Sequence, residues 1–124
     1  MAVVSVRYIV SDLVAAIAFY TGNLGFAVEL HPAPTFAMLR RGELRLLLSV
    51  PGAQGGGQTL PGGRYPEPGG WNRFQLEVED LPATVESLRR AGVQFRSDLI
   101  TGIGGNQVIV EDPSGNPIEL FQPA

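Results

Sequence analysis

Cysteine is absent from the 124 residues. That excludes disulfides, a thiolate metal site and a thiol nucleophile, and it accords with a reducing compartment. Histidine occurs once, at His31. Charge is sparse, with 17% of residues charged and a formal net charge of -3, so neither nucleic acid nor an anionic membrane is an expected partner. No apolar run approaches membrane-spanning length. The opening MAVVSVRYIV is apolar but lacks a basic leader and is interrupted by Arg7, so it reads as a strand and not a signal peptide. The expectation is a soluble, cytoplasmic protein.

What is present suffices for a folded core: apolar residues make up 44% of the chain. The length is that of a single domain, residues 1–124. Glycine and proline concentrate in one place. The stretch PGAQGGGQTLPGGRYPEPGG, Pro51 to Gly70, holds eight of the sixteen glycines and four of the ten prolines. It cannot be helix or central strand and reads as a long loop, so residues 50–70 form a linker between modules 1–49 and 71–124.

The two flanks resemble each other. In VSVRYIVSDLVAAIAFYTGNLGF and WNRFQLEVEDLPATVESLRRAGVQF, Asp12-Leu13 matches Asp80-Leu81, Ala15 matches Ala83, Ile17 matches Val85, and Gly25 matches Gly92 after a one-residue gap. Each flank predicts an alternating strand, then a helix capped by Asp at its start and by Gly past its end. Three strands follow each helix, near 26–30, 35–40 and 43–49, and near 93–98, 106–111 and 117–122. RRGEL and EDPSGNP are the tight turns that join the last two of each set. The organisation is a tandem βαβββ repeat of α+β class.

One residue in this pattern poses a problem. Glu119 lies between Ile118 and Leu120 in a strand otherwise suited to burial. Its carboxylate must face water, pair with a cation or hold a metal.

The segments VSDLVAAIAFYTGNLGF, LEVEDLPATVESLRRAGV and VIVEDPSGNPIELFQP together resemble the vicinal oxygen chelate superfamily, which includes glyoxalase I, bleomycin-resistance proteins and extradiol dioxygenases. The resemblance implies that each module forms half of an open barrel-like sheet around a cavity. It also implies a homodimer in which the first module of one chain faces the second of the other, by domain swapping. Metal-dependent members place a His, Glu or Gln on the first and last strand of each module. Counted back from Val10 and Val78, the first-strand positions fall on Ser5 and Arg73, and the last-strand positions on Leu46 and Glu119. Only Glu119 is a recognised ligand, and Arg73 is a permanent cation that would repel a divalent ion. His31 lies in ELHPAP, away from all four positions, and reads as a surface residue. No metal and no cofactor are expected; Arg73 and Glu119 are expected to pair on adjacent strands.

Strand alternation groups Ser5, Arg7 and Ile9, then Leu44, Leu46 and Leu48, then Arg73, Gln75 and Glu77, then Pro117, Glu119 and Phe121. The expected ligand-binding set is Ser5, Arg7, Phe36, Leu46, Leu48, Trp71, Arg73, Gln75 and Glu119. Tyr65 offers a further aromatic surface near the linker, whereas Phe74 alternates away from Arg73 and reads as core. The resemblance implies a metal-independent binder of a small organic molecule, like the antibiotic-sequestering bleomycin-resistance proteins; the two arginines favour a planar, neutral or anionic aromatic ligand. The alternative is a glyoxalase-like lyase or isomerase, or a dioxygenase-related enzyme, with a degenerate metal site. In that case Glu119 is the one candidate general base, and pairing with Arg73 would weaken it. A third reading is an interaction module with an empty cavity.

Overall fold

The first module begins with β1 (Val4–Ile9), continues through α1 (Leu13–Asn23), and closes with β2 (Ala27–Ala33), β3 (Phe36–Arg41) and β4 (Leu44–Ser49). The second repeats the order as β5 (Gln75–Glu77), α2 (Leu81–Arg90), β6 (Gln94–Phe95), β7 (Ile100–Thr101), β8 (Gly105–Glu111) and β9 (Pro117–Pro123). The structure, a computed structural model, describes residues 3–124. Met1 and Ala2, the start of the expected first module, lie outside the described residues.

Both helices start as the sequence predicts. Asp12 accepts from Ala15 N at 3.0 Å and Asp80 from Ala83 N at 3.1 Å, each satisfying a donor the first helical turn would leave free. Gly25 and Gly92 follow the two helices with φ of 74° and 79°, the left-handed stop.

The strands form two sheets of the same plan, β1-β4-β3-β2 and β5-β9-β8-β6, with β7 also on β8. In each, the first and last strands run parallel as neighbours, β1 beside β4 and β5 beside β9. Of the single strand expected at 93–98, only Gln94–Phe95 forms regular strand, and β7 lies beyond it. Arg96 N and Ser97 N both donate to Ile109 O, at 2.8 and 3.3 Å, and this bulge ends the regular ladder.

One apolar core serves both modules. Tyr8, Leu39, Leu46 and Leu48 from the first pack in the same cluster as Leu76, Val108, Ile118 and Leu120 from the second, beneath Leu13, Tyr20, Leu81 and Leu88 of the helices. Aromatic contacts knit the seam: the Phe74 ring lies 5.1 Å from Tyr8 and 6.1 Å from Phe26. Phe74 is thus half-buried against the core, on the side alternation gives it.

Polar groups lock the same seam. The Tyr8 hydroxyl donates to Pro117 O at 2.6 Å, and the Tyr20 hydroxyl donates to Asp112 Oδ2 at 2.8 Å. Asp112, buried in the DPSGN turn, also accepts from Ser114 N, Asn116 N and Asn116 Nδ2. Asn116 Nδ2 donates on to Ile9 O at 2.7 Å. This turn is therefore a bracket that ties β9 to β1, over and above joining two strands.

The β4 register corrects one expectation. Arg7 stands opposite Leu47 and Tyr8 opposite Leu48, so Leu44, Leu46 and Leu48 share the helix-covered face with Tyr8. Leu46 and Leu48 are fully buried there and line no open surface. The open face of β4 carries Arg45, Leu47 and Ser49, opposite Ser5, Arg7 and Ile9. Alternation alone did not reveal this, because Leu44, Leu46, Leu47 and Leu48 are all apolar and only pairing to β1 fixes the parity.

Candidate functional site

Glu119 points to the open face of the second sheet, opposite Gln75 and Ile109. It is only 9% exposed, so its charge requires partners. Arg73, two residues ahead of Gln75, supplies them: Nε lies 3.0 Å and Nη2 2.9 Å from Glu119 Oε1. Gln75 Nε2 donates to Oε2 at 2.6 Å. Both carboxylate oxygens are thus taken by donors, one of them a charge-assisted pair. The pairing of Arg73 with Glu119 is the arrangement the sequence predicts.

Trp71 stands beside this cluster. Its carbonyl accepts from Arg73 Nη1 at 3.2 Å, and the residue is 67% exposed. One ring face carries the Arg96 guanidinium at 4.5 Å, a cation–π contact. Arg96 also donates to Glu111 Oε2, Gly70 O and Gly115 O, which anchors the end of the linker to the second sheet. Sequence reasoning passed over Arg96. Its role rests on capturing two carbonyls and a carboxylate from other elements, and no local pattern marks that.

The open face of the first sheet is more basic than expected. The β4 parity places Arg45 beside Ser5, and Arg40 stands opposite Arg45 on β3. Glu29 reaches both arginines, at 3.6 and 3.5 Å. At the other end of the face, Arg7 Nη1 donates to Ser49 Oγ at 3.3 Å and to Gly55 O at 2.9 Å, and Phe36 stands opposite Ser49. His31 lies exposed on the edge strand β2, within a strand and not at its end.

A cleft of about 480 Å³ lies between β1 and the segment leading into β5. Arg7 and Arg73 both line it, with Tyr8 and Phe74, the linker residue Glu67, and Asn116. Burial pushes the Tyr8 hydroxyl up to about 12, so it stays a protonated donor at any ordinary pH. Ser5, Arg7 and Phe36 thus share one open face, and Arg73, Gln75 and Glu119 share the other. Leu46 and Leu48 join neither.

The positions at which the family resemblance implies metal ligands do not carry a ligand set in this chain. Among the described residues no three His, Cys, Asp or Glu side chains cluster as a metal would require. The one acid at a ligand position is engaged by a guanidinium and an amide, and its counterpart in the first module, opposite Arg7, is Leu47.

Three solved structures show what the chain is similar to. A superfamily member from Sphaerobacter thermophilus DSM 20745 has 26% identity and a TM-score of 0.76, over 98% of this chain and 97% of that one. TnmS3, an antibiotic binding protein from Streptomyces sp. CB03234, has 25% identity and a TM-score of 0.74, over 100% and 97%. Lactoylglutathione lyase from Agrobacterium tumefaciens has 21% identity and a TM-score of 0.74, over 98% and 92%, a likeness of fold alone. No curated protein sequence matches the chain. The family model for the Glyoxalase/Bleomycin resistance protein/Dioxygenase superfamily matches residues 2–120. The chain, with its paired βαβββ modules, belongs to that superfamily.

Proposed function

We propose that this protein binds a planar aromatic small molecule, neutral or anionic, reversibly and without a metal. The observation that carries this reading is the Arg73–Glu119–Gln75 cluster. Where a metal-dependent relative would present ligands, this chain presents a neutralised acid and a guanidinium edge suited to a carboxylate, phenolate or carbonyl. The similarity to TnmS3, an antibiotic binding protein, supports a role in sequestration. Proton abstraction by Glu119 is disfavoured, because Arg73 and Gln75 already hold both its oxygens in hydrogen bonds that a base would have to give up or share.

The binding unit in this reading is a cytoplasmic homodimer in which the first module's open face meets the second module's open face of the other copy. Charge supports that pairing: Arg7, Arg40 and Arg45 outnumber Glu29 on one face, while Glu77, Glu111 and Glu119 outnumber Arg73 and Arg96 on the other. The ligand contacts proposed are Ser5, Arg7, Phe36 and Leu47 from one module, and Trp71, Arg73, Gln75 and Glu119 from the other. A thermal-shift screen of aromatic acids, phenols and amides tests the reading, since a bound ligand must raise the melting temperature with its concentration. Arg73→Ala should weaken the best hit by about 1–3 kcal/mol, the range for a charged hydrogen bond. A hit that binds this variant as tightly as the wild type would remove Arg73 from the site.

A further inference from the structure

Two residues of the proposed site, Arg7 and Phe36, are touched by the chain's own linker. Gly55 O accepts from Arg7 Nη1 at 2.9 Å and from Ser49 Oγ at 2.7 Å. A methyl group added at Gly55 would stand 2.9 Å from Phe36 Cβ, and one added at Gly56 would overlap the Arg7 guanidinium. Gly55 and Gly56 hold φ of 98° and 103°, which L side chains rarely adopt. Only glycine permits this approach, so the segment is shaped to lie on these residues.

We infer that Arg7 and Ser49 form an acceptor-recognition subsite that the linker's Gly55 carbonyl fills until a ligand carboxylate or phenolate replaces it, lifting the glycine segment. The inference rests on the proposed binding function and adds the ligand's charge and the part of the chain that moves. Arg40, Arg45, Arg73 and Arg96 each have a carboxylate within salt-bridge distance; among the described residues Arg7 has none. Its charge is met only by a neutral hydroxyl and a neutral carbonyl. A carboxylate is the stronger acceptor for a guanidinium, and can engage it with two parallel bonds, so an anionic ligand outcompetes Gly55 O. Few ties oppose release. Gly55 is exposed; Gly52 N donates to Gly57 O and Gly56 N to Gln58 Oε1 within the loop, and Ala53 N donates to Val50 O at 3.5 Å, while the buried Gly57 marks where the lifting segment ends. Such a segment opens at low cost relative to the core.

Hydrogen exchange over residues 51–60 tests the latch without any ligand. Arg7→Gln, an exposed and conservative change, should speed exchange there by roughly tenfold, the equivalent of one charge-assisted hydrogen bond. Gly56→Ala should do the same by steric expulsion, with circular dichroism checking that the fold persists. Equal exchange in wild type and Arg7→Gln would overturn the latch whatever the protein binds. The second arm adds 2-naphthoate or its uncharged analogue 2-naphthamide. The naphthoate should speed exchange of the loop in wild type and bind Gly56→Ala severalfold more tightly, whereas the amide should leave the loop closed. Naphthoate that raises the melting temperature with unchanged loop exchange would overturn the subsite and leave small-molecule binding standing. Naphthoate that binds neither wild type nor Gly56→Ala would overturn the anionic subsite, and the broader screen then judges the binding function separately.

Discussion

A carboxylate between Ile118 and Leu120 needs a partner, and Arg73 was identifiable as that partner because both side chains follow from the repeat of the two modules. Arg73→Ala would leave Glu119 with Gln75 alone in a mostly buried position. The expected cost is about 1–3 kcal/mol in urea unfolding, with Glu119→Gln milder because it removes the charge that needs compensation. Tyr8 makes a second test. Its folded-state hydroxyl is raised by burial to about 12, against an unfolded value near 10, so the protonated form is favoured by folding. That contribution is fully present below pH 10 and is lost as pH rises through 12; a Tyr8→Phe variant should show a flatter decline over this window. Other residues were illegible in sequence. Ser49, Arg96 and Asn116 matter because each captures a backbone group outside its own element, and residue type alone does not say which backbone a polar side chain will reach.

Elements were legible wherever their signals are local. Asp caps, glycine stops and the turn residues of DPSGN act within a few residues, and the helices and hairpin turn they predict are present. Two features depend on partners and were not legible: the parity of β4 and the bulge that divides β6 from β7. The parity has a direct consequence for mutation. Leu46→Ala empties a fully buried core position and should cost about 2–5 kcal/mol, while Leu47→Ala, on the half-buried open face, should cost far less and change ligand binding instead. Comparing the two urea midpoints decides which leucine belongs to the core. In the closing turn, Asn116→Ala removes the bonds to Ile9 O and from Gly69 N at once. It should cost about 2–3 kcal/mol, as expected for breaking a buried network and not a surface contact.

For the molecule as a whole, the shared core makes the two modules a single cooperative unit, while the open faces carry opposite charge excess and the neutralised site. Light scattering at micromolar concentration should therefore report a dimer, and raised salt should weaken it by screening the facing charges. What such an assembly does is decided by the fate of a bound molecule. Equilibrium dialysis of the protein against a mixed library of aromatic acids, phenols and amides, read by mass spectrometry, follows that fate directly. At least one aromatic compound should concentrate on the protein side, leave with its mass unchanged after denaturation, and lose its enrichment with Arg73→Ala. A compound returned with altered mass, or a library that stays evenly distributed across the membrane, would contradict reversible binding at this site.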